Sequence, residues 1–203
     1  MAVFCTDAGH GGSDSGAVWK DIREKDLNLQ VTLKLNHLLK ERGHTVWTTR
    51  RSDEHVPPLS IRCRLINRHY QLNRPAFDAI VSLHCNVAAK WDDAMGTYQP
   101  LPRYRGLYAI YSEESVNGKR LARLVAEHAS RHDISLAHHG TLSTVELGRS
   151  LAWIHQTRPV SVLVEMGFMT NPEELARLQD EAYQQILAQS VADALEAFVQ
   201  QPV

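Results

Sequence analysis

Apolar and polar residues follow two rhythms along this chain. Short runs rich in β-branched and aromatic residues recur at Ala2–Cys5 (AVFC), His44–Thr49 (HTVWTT), Phe77–His84 (FDAIVSLH), Gly106–Ser112 (GLYAIYS) and Ser161–Glu165 (SVLVE). Each reads as a strand. Between them lie longer periodic stretches, Glu24–Arg42, Leu59–Leu72, Val116–His132 and Pro172–Val199, whose spacing predicts helices. Strands alternating with helices predict an α/β fold: a mixed, mostly parallel sheet of about six strands, flanked by helices on both faces.

Asp26–Leu35 (DLNLQVTLKL) alternates apolar and polar residues strictly enough to pass for a strand. On a helical wheel, however, Leu27, Val31, Leu35, Leu38 and Leu39 share one arc, and Gly43 follows as a stop signal. Helix is the better reading. Leu29 and Leu33 then form a second apolar line, which implies burial against two neighbours. In NPEE, Asn171 reads as an N-cap, Pro172 as the first helical residue and Glu174 as its capping-box partner. Val87–Arg105 is the longest loop-like segment, and Ser135–Ser150 is a second irregular region, carrying His138 and His139.

Composition narrows the class without naming a chemistry. At 203 residues, 43% hydrophobic and 22% charged, the chain suits one domain, 1–203, with a core of its own. Its net charge of -1, with no polybasic run or zinc-finger spacing, argues against nucleic acid as a partner. Cys5, Cys63 and Cys85 are isolated from one another and read as small buried hydrophobes. No apolar segment approaches the roughly 18 residues of a membrane span, and no basic leader follows Met1. No long heptad pattern demands a partner, so a monomer is expected.

Glu165 is the first residue that the fold alone does not explain. A carboxylate emerging from a core strand costs several kcal/mol unless it is paired or ligated. Directly after the first strand comes DAGHGG, Asp7–Gly12, where glycines flanking His10 allow a sharp turn and close approach of a ligand. It is not a phosphate loop, since neither glycine-rich phosphate motif fits. The third strand ends SLHCN and brings His84, with Ser82 and Asn86 on the same face, to that edge of the sheet. Glu24 opens the first helix, where it could simply favour the helix dipole. Two histidines and a carboxylate nevertheless match the ligand type of a catalytic zinc, which leaves a position open for water. A further carboxylate nearby could move that water's proton.

Taken together, DAGHGGSDSGA, EKDLNL, TRRSD, LSIRCRLIN, DAIVSLHCN, GLYAIYS and VLVEMGFMTNPEE occur in the order found in the zinc-dependent N-acetylmuramoyl-L-alanine amidases, amidase type 3. The chain resembles that family from Val3 to about Phe198. The resemblance implies one zinc ion held by His10, Glu24 and His84, with Glu165 as the catalytic carboxylate. Arg50, Arg62, Asn67, Asn86, Phe168 and Asn171 also match the family and read as structural or cleft-forming, although Arg62 could equally be a surface ion pair. Asn86, His139 and Phe168 are the candidate substrate contacts. Two departures stand out: Cys85 occupies a site usually taken by a small apolar residue, and His155 stands where an arginine is common. Neither an inserted plugging helix nor wall-binding repeats are evident, so the chain looks closer to compact phage endolysins than to exported housekeeping amidases.

The implied activity is hydrolysis of the amide between N-acetylmuramic acid and L-alanine in peptidoglycan, acting at the cell wall or periplasm. A release route that needs no leader, such as a holin, is expected if the chain starts where it reads. The rivals are a catalytically silent peptidoglycan-binding protein and a zinc peptidase cutting within the stem peptide. His138 and His139 read as exposed loop histidines, with substrate contact or proton shuttling as alternatives.

Overall fold

The computed structural model describes residues 1–73 and 75–200. Its elements in chain order are β1 (Val3–Ala8), β2 (Val18–Trp19), β3 (Ile22–Arg23), α1 (Glu24–Glu41), β4 (Thr45–Thr48), α2 (Leu59–Leu72), β5 (Ala79–Asn86), β6 (Ala89–Asp92) and β7 (Thr97–Pro100). These are followed by β8 (Leu107–Tyr111), α3 (Val116–Arg131), β9 (Leu136–Ser143), α4 (Ala152–His155), β10 (Ser161–Phe168), α5 (Pro172–Gln179) and α6 (Glu181–Gln200). One six-stranded sheet runs in the order β4-β1-β5-β10-β8-β9. All neighbours are parallel except β10 and β8.

Period-two alternation divides the core between the two faces of the sheet. Phe4, Val81, Leu83, Val162 and Val164 pack with α1, α3, α5 and α6. Val3, Cys5, Ile80 and Leu163 face the other way, onto Ile66 of α2 and Trp153 of α4. The chain leaves β1 for β4 on one side and β5 on the other, so the strand order reverses at β1. Such a switch point opens a crevice beyond the carboxyl ends of the strands. All three cysteines are buried and free, and no helix among the described residues is long and apolar enough to cross a membrane.

The helical reading of Asp26–Leu35 holds, and Leu27, Val31, Leu35 and Leu39 are fully or nearly buried. The second apolar line does not. Leu33 is 41% exposed, because that side of α1 meets solvent rather than a second neighbour. The stretch expected to run unbroken from Pro172 to Val199 is two helices, since Asp180 turns extended and its carboxylate accepts the Tyr183 N–H at 2.8 Å. Asn171 does cap α5, accepting from the Glu173 and Glu174 N–H groups. Glu174 does not close the expected capping box: its oxygens turn inward to accept the N–H groups of Phe168 and Gly106, each at 2.8 Å.

The two segments expected to be irregular also hold strands. Part of 87–105 folds as the separate β6–β7 ribbon, with Trp91 opposite Tyr98. Residues 136–143 form the edge strand β9, whose pairing with β8 slips where His138 and His139 adopt positive φ angles of 49° and 54°. Beyond Glu165, β10 continues through a bulge to Phe168, and Gly167 in that bulge lies within 3.3 Å of Glu174 from where a Cβ would stand.

Candidate functional site

Three parallel neighbours, β1, β5 and β10, carry the candidate residues to one edge of the sheet. His10 follows β1, His84 lies on β5 and Glu165 on β10, and Glu165 is registered directly opposite His84. Glu24 enters from the first turn of α1. Residues separated by up to 155 positions thus meet because parallel strands align their carboxyl ends.

His10 adopts φ 63°, a conformation that costs a non-glycine residue energy. The turn holds it there: Gly11 and Asp14 exchange backbone hydrogen bonds at 2.8 and 3.2 Å. Glycine is needed close by, since a Cβ on Gly9 would stand 2.3 Å from the His84 ring and one on Gly16 would strike Glu24 and His10 at 2.6 Å. Two buried arginines brace the turn from below. Arg50 donates to the carbonyls of Ala8, Gly9 and Lys25. Arg62 donates to Pro57, Ala8 and His10 carbonyls and to Asp7. Arg62 is therefore not the surface ion pair that its sequence context allowed.

Ligand atoms from His10, Glu24 and His84 all lie within 4.8 Å of one another. His10 Nε2 stands 3.3 Å from Glu24 Oε2, and His84 Nδ1 stands 2.9 Å from Glu24 Oε1. Two imidazole nitrogens and one carboxylate fit a three-ligand zinc site by donor chemistry. The surroundings fit as well. The other ring nitrogen of His10 faces Asp14 at 2.8 Å, the carboxylate–histidine pairing that fixes a ligand's orientation. Glu24 is held by the N–H groups of Ala17 and Cys85 and by Asn28 Nδ2. Cys85 thus contributes its backbone here, and its buried side chain faces the core.

Within the cluster, carboxylates and imidazoles shift one another. Burial alone would raise the pKa of Glu24, but hydrogen bonding to His10 and His84 and the charge of both rings outweigh it and hold the carboxyl well below its ordinary range. Burial would lower His10, yet Glu24 and Asp14 together bring it up to about 9. Glu165 behaves oppositely. Burial pushes its carboxyl up to about 7, with His84 pulling down, Glu24 pushing up and Arg149 pulling down. Its Oε2 is buried with no hydrogen-bond partner.

A cleft of about 260 Å³ joins His10, Glu24, His84 and Glu165. Its remaining wall is mostly apolar, including Leu59, Val87, Trp153 and Leu163, with Ser82, Asn86 and Arg149 as polar exceptions. Asn86 donates to Tyr108 Oη at 2.5 Å and so is fixed in the wall. Phe168 is buried against Tyr104 and Tyr108 and does not line this cleft. His139 is exposed on β9, outside the lining, beside His138, whose ring meets Tyr108 edge-on. Asn67 ties α2 to the segment after α4 through Gln156 and Arg158, and Asn171 also donates to Pro102 O. Both are structural.

Sequence reasoning missed Asp14 and Arg149. Asp14 had a signal in its spacing of four from His10. Arg149 had none, being one arginine in an irregular stretch that only the sheet brings back to Glu165.

Known proteins resemble this chain over nearly its whole length. The sequence profile of N-acetylmuramoyl-L-alanine amidase, Amidase_3, matches residues 5–197. The chain is 31% identical over 198 residues to the uncharacterized protein YqiI of Bacillus subtilis, covering 96% of this chain and 84% of that protein. It is 27% identical over 201 residues to the germination-specific N-acetylmuramoyl-L-alanine amidase of the same organism, covering 93% and 76% respectively. Among solved structures it is similar to N-acetylmuramoyl-L-alanine amidase AmiC2 of Nostoc punctiforme, with a TM-score of 0.80, 26% identity and 98% of each chain covered.

Proposed function

Because the chain belongs to the N-acetylmuramoyl-L-alanine amidase family, we propose that it hydrolyses the amide joining N-acetylmuramic acid to L-alanine in peptidoglycan, and so acts at the cell wall. The observation that carries this reading is the juxtaposition of His10, Glu24 and His84, within 4.8 Å of one another, with a buried Glu165 whose Oε2 has no partner in the same cleft.

His10, Glu24 and His84 would hold one zinc ion, which when bound supplies Lewis acidity toward water and the amide carbonyl. Asp14 keeps His10 oriented, and the Ala17 and Cys85 N–H groups keep Glu24 oriented. Glu165 is the general base and then the general acid: an oxygen of its carboxylate removes a proton from the attacking water and returns it to the departing alanine amine. A pKa near 7 suits both halves of that cycle. The apolar wall around Glu165 excludes competing water, and Asn86 offers the substrate a fixed polar contact. Phe168 supports Asn86 from behind through Tyr108, and His139 is exposed on β9, outside the cleft lining.

Digestion of purified peptidoglycan with and without a chelator tests this. The expected result is chelator-sensitive release of L-alanine amino termini without new reducing sugar ends. Intact peptidoglycan would point to a silent binding protein, and any other new amino terminus to a peptidase.

A further inference from the structure

Two hollows meet at the His10 and His84 rings, and they differ in charge. The cleft of about 260 Å³ already described has Arg149 in its wall. A second hollow of about 270 Å³ shares His10, Leu59 and His84 with it and has Arg62 instead. Arg62 is fully engaged, its guanidinium held by Asp7 and by three backbone carbonyls. Arg149 is exposed, and no described residue makes a hydrogen bond or ion pair with it. The first hollow therefore offers a guanidinium with no hydrogen-bond or ion-pair partner, sensed by Glu165 only through its charge, and the second does not.

The loop carrying Arg149 is built rather than slack. On its leading side, Ser143 and Glu146 exchange backbone-to-side-chain hydrogen bonds, and Leu147 N–H donates to Ser143 O at 2.9 Å. Gly148 then turns at φ 71°. On its trailing side, His155 Nδ1 accepts the Leu151 N–H at 3.1 Å and meets Ser150 Oγ at 3.1 Å, while Nε2 stands 3.4 Å from Thr144 Oγ1. One imidazole thus ties both ends of the loop, from the position where the family resemblance leads one to expect an arginine.

The substrate's charge is equally one-sided. In the scissile amide the lactyl carboxyl is already consumed and the N-acetylated sugars are neutral, so the carboxylates lie on the peptide side. We infer that Arg149 binds a carboxylate of the stem peptide, that the peptide occupies the hollow bearing Arg149, and that the neutral muramoyl group occupies the other. His155 is the positioning residue for Arg149. This rests on the amidase reading above. The carboxylate nearest the scissile bond is the α-carboxylate left free when D-glutamate is linked through its side chain, and a planar guanidinium suits it better than an ammonium does.

The test compares peptidoglycan whose stem D-glutamate is free with peptidoglycan in which it is amidated, reading released L-alanine amino termini. The wild-type protein should prefer the free form, and Arg149→Gln should lose about tenfold more in kcat/KM on the free form than on the amidated one. Arg149→Lys should keep part of the preference. His155→Ala should lose the preference, add nothing to Arg149→Gln in the double variant, and be rescued by His155→Asn, whose side-chain oxygen can still accept the Leu151 N–H. Equal losses on both forms would overturn the inference and make Arg149 a contributor to the reaction itself. Equal wild-type rates on both forms would overturn it while leaving the amidase reading intact. Release of no L-alanine amino termini from either would overturn both.

Discussion

Asp7 and Glu165 are two buried carboxylates near the same edge of one sheet, and they are treated in opposite ways. Asp7, on β1, is saturated: Oδ1 accepts Thr49 Oγ1 at 2.5 Å and Arg62 Nη1 at 2.9 Å, and Oδ2 accepts Ser82 Oγ at 2.5 Å. Glu165, two strands away on β10, has an oxygen with no partner, and burial lifts its pKa to about 7. A saturated buried charge locks a fold, whereas an unsatisfied one destabilises it and persists where chemistry needs it. On the proposed reading, Asp7 belongs to the frame of the site and Glu165 to its chemistry.

The largest expected effect comes from breaking the saturated side. Asp7→Ala should cost about 3–5 kcal/mol of stability, because it strands Arg62 in the interior without its carboxylate. Urea denaturation would measure it, and a loss below about 1 kcal/mol would place Asp7 outside the frame. The unsatisfied side should respond with the opposite sign. The Glu165 pKa is raised in the folded state, so the carboxyl's favourable contribution is present below the unfolded value of about 4.3 and is lost as pH rises through about 7. Glu165→Gln should therefore stabilise the chelated protein by about 1–3 kcal/mol at pH 8 and have little effect below pH 4. A gain that did not depend on pH would contradict the burial of a charge as its cause.

Smaller effects belong to the carboxylate that lies between these extremes. Glu174 is buried, and burial raises its pKa against two backbone hydrogen bonds, from Phe168 and Gly106. Glu174→Ala should cost about 2 kcal/mol by leaving those N–H groups unpaired. Asn171→Ala, which removes only the cap of α5, should cost about 1 kcal/mol. Thermal unfolding of the two variants side by side would expose any reversal of that order.

Much of this contrast was legible in the sequence. β1, β5, β8 and β10 are buried on both faces, and unbroken apolar runs declare themselves. β9 did not, because it is a partly exposed edge strand whose two histidines at positive φ interrupt the alternation. The β6–β7 ribbon is mostly solvent-facing and has no apolar rhythm to read. The break at Asp180 looks like any polar residue on a helix until its carboxylate is seen capping the next one. At the site, Glu165 stood out as a carboxylate on a core strand and His10 and His84 as imidazoles at strand ends, whereas Glu24 suited its helix start and joined the set through the family resemblance. Arg149 could not be named, since its relation to Glu165 exists only across the folded sheet.

The central claim is that Glu165 is left unsatisfied for chemistry while Asp7 and Arg62, in the frame beside it, are saturated. The measurement that bears on it most directly is the rate of L-alanine amino-terminus release by Glu165→Gln at pH 8, with bound zinc quantified in the same sample. The account predicts unchanged zinc content and a rate at least about 10²-fold below that of the unsubstituted protein. An unchanged rate at full zinc content would contradict it.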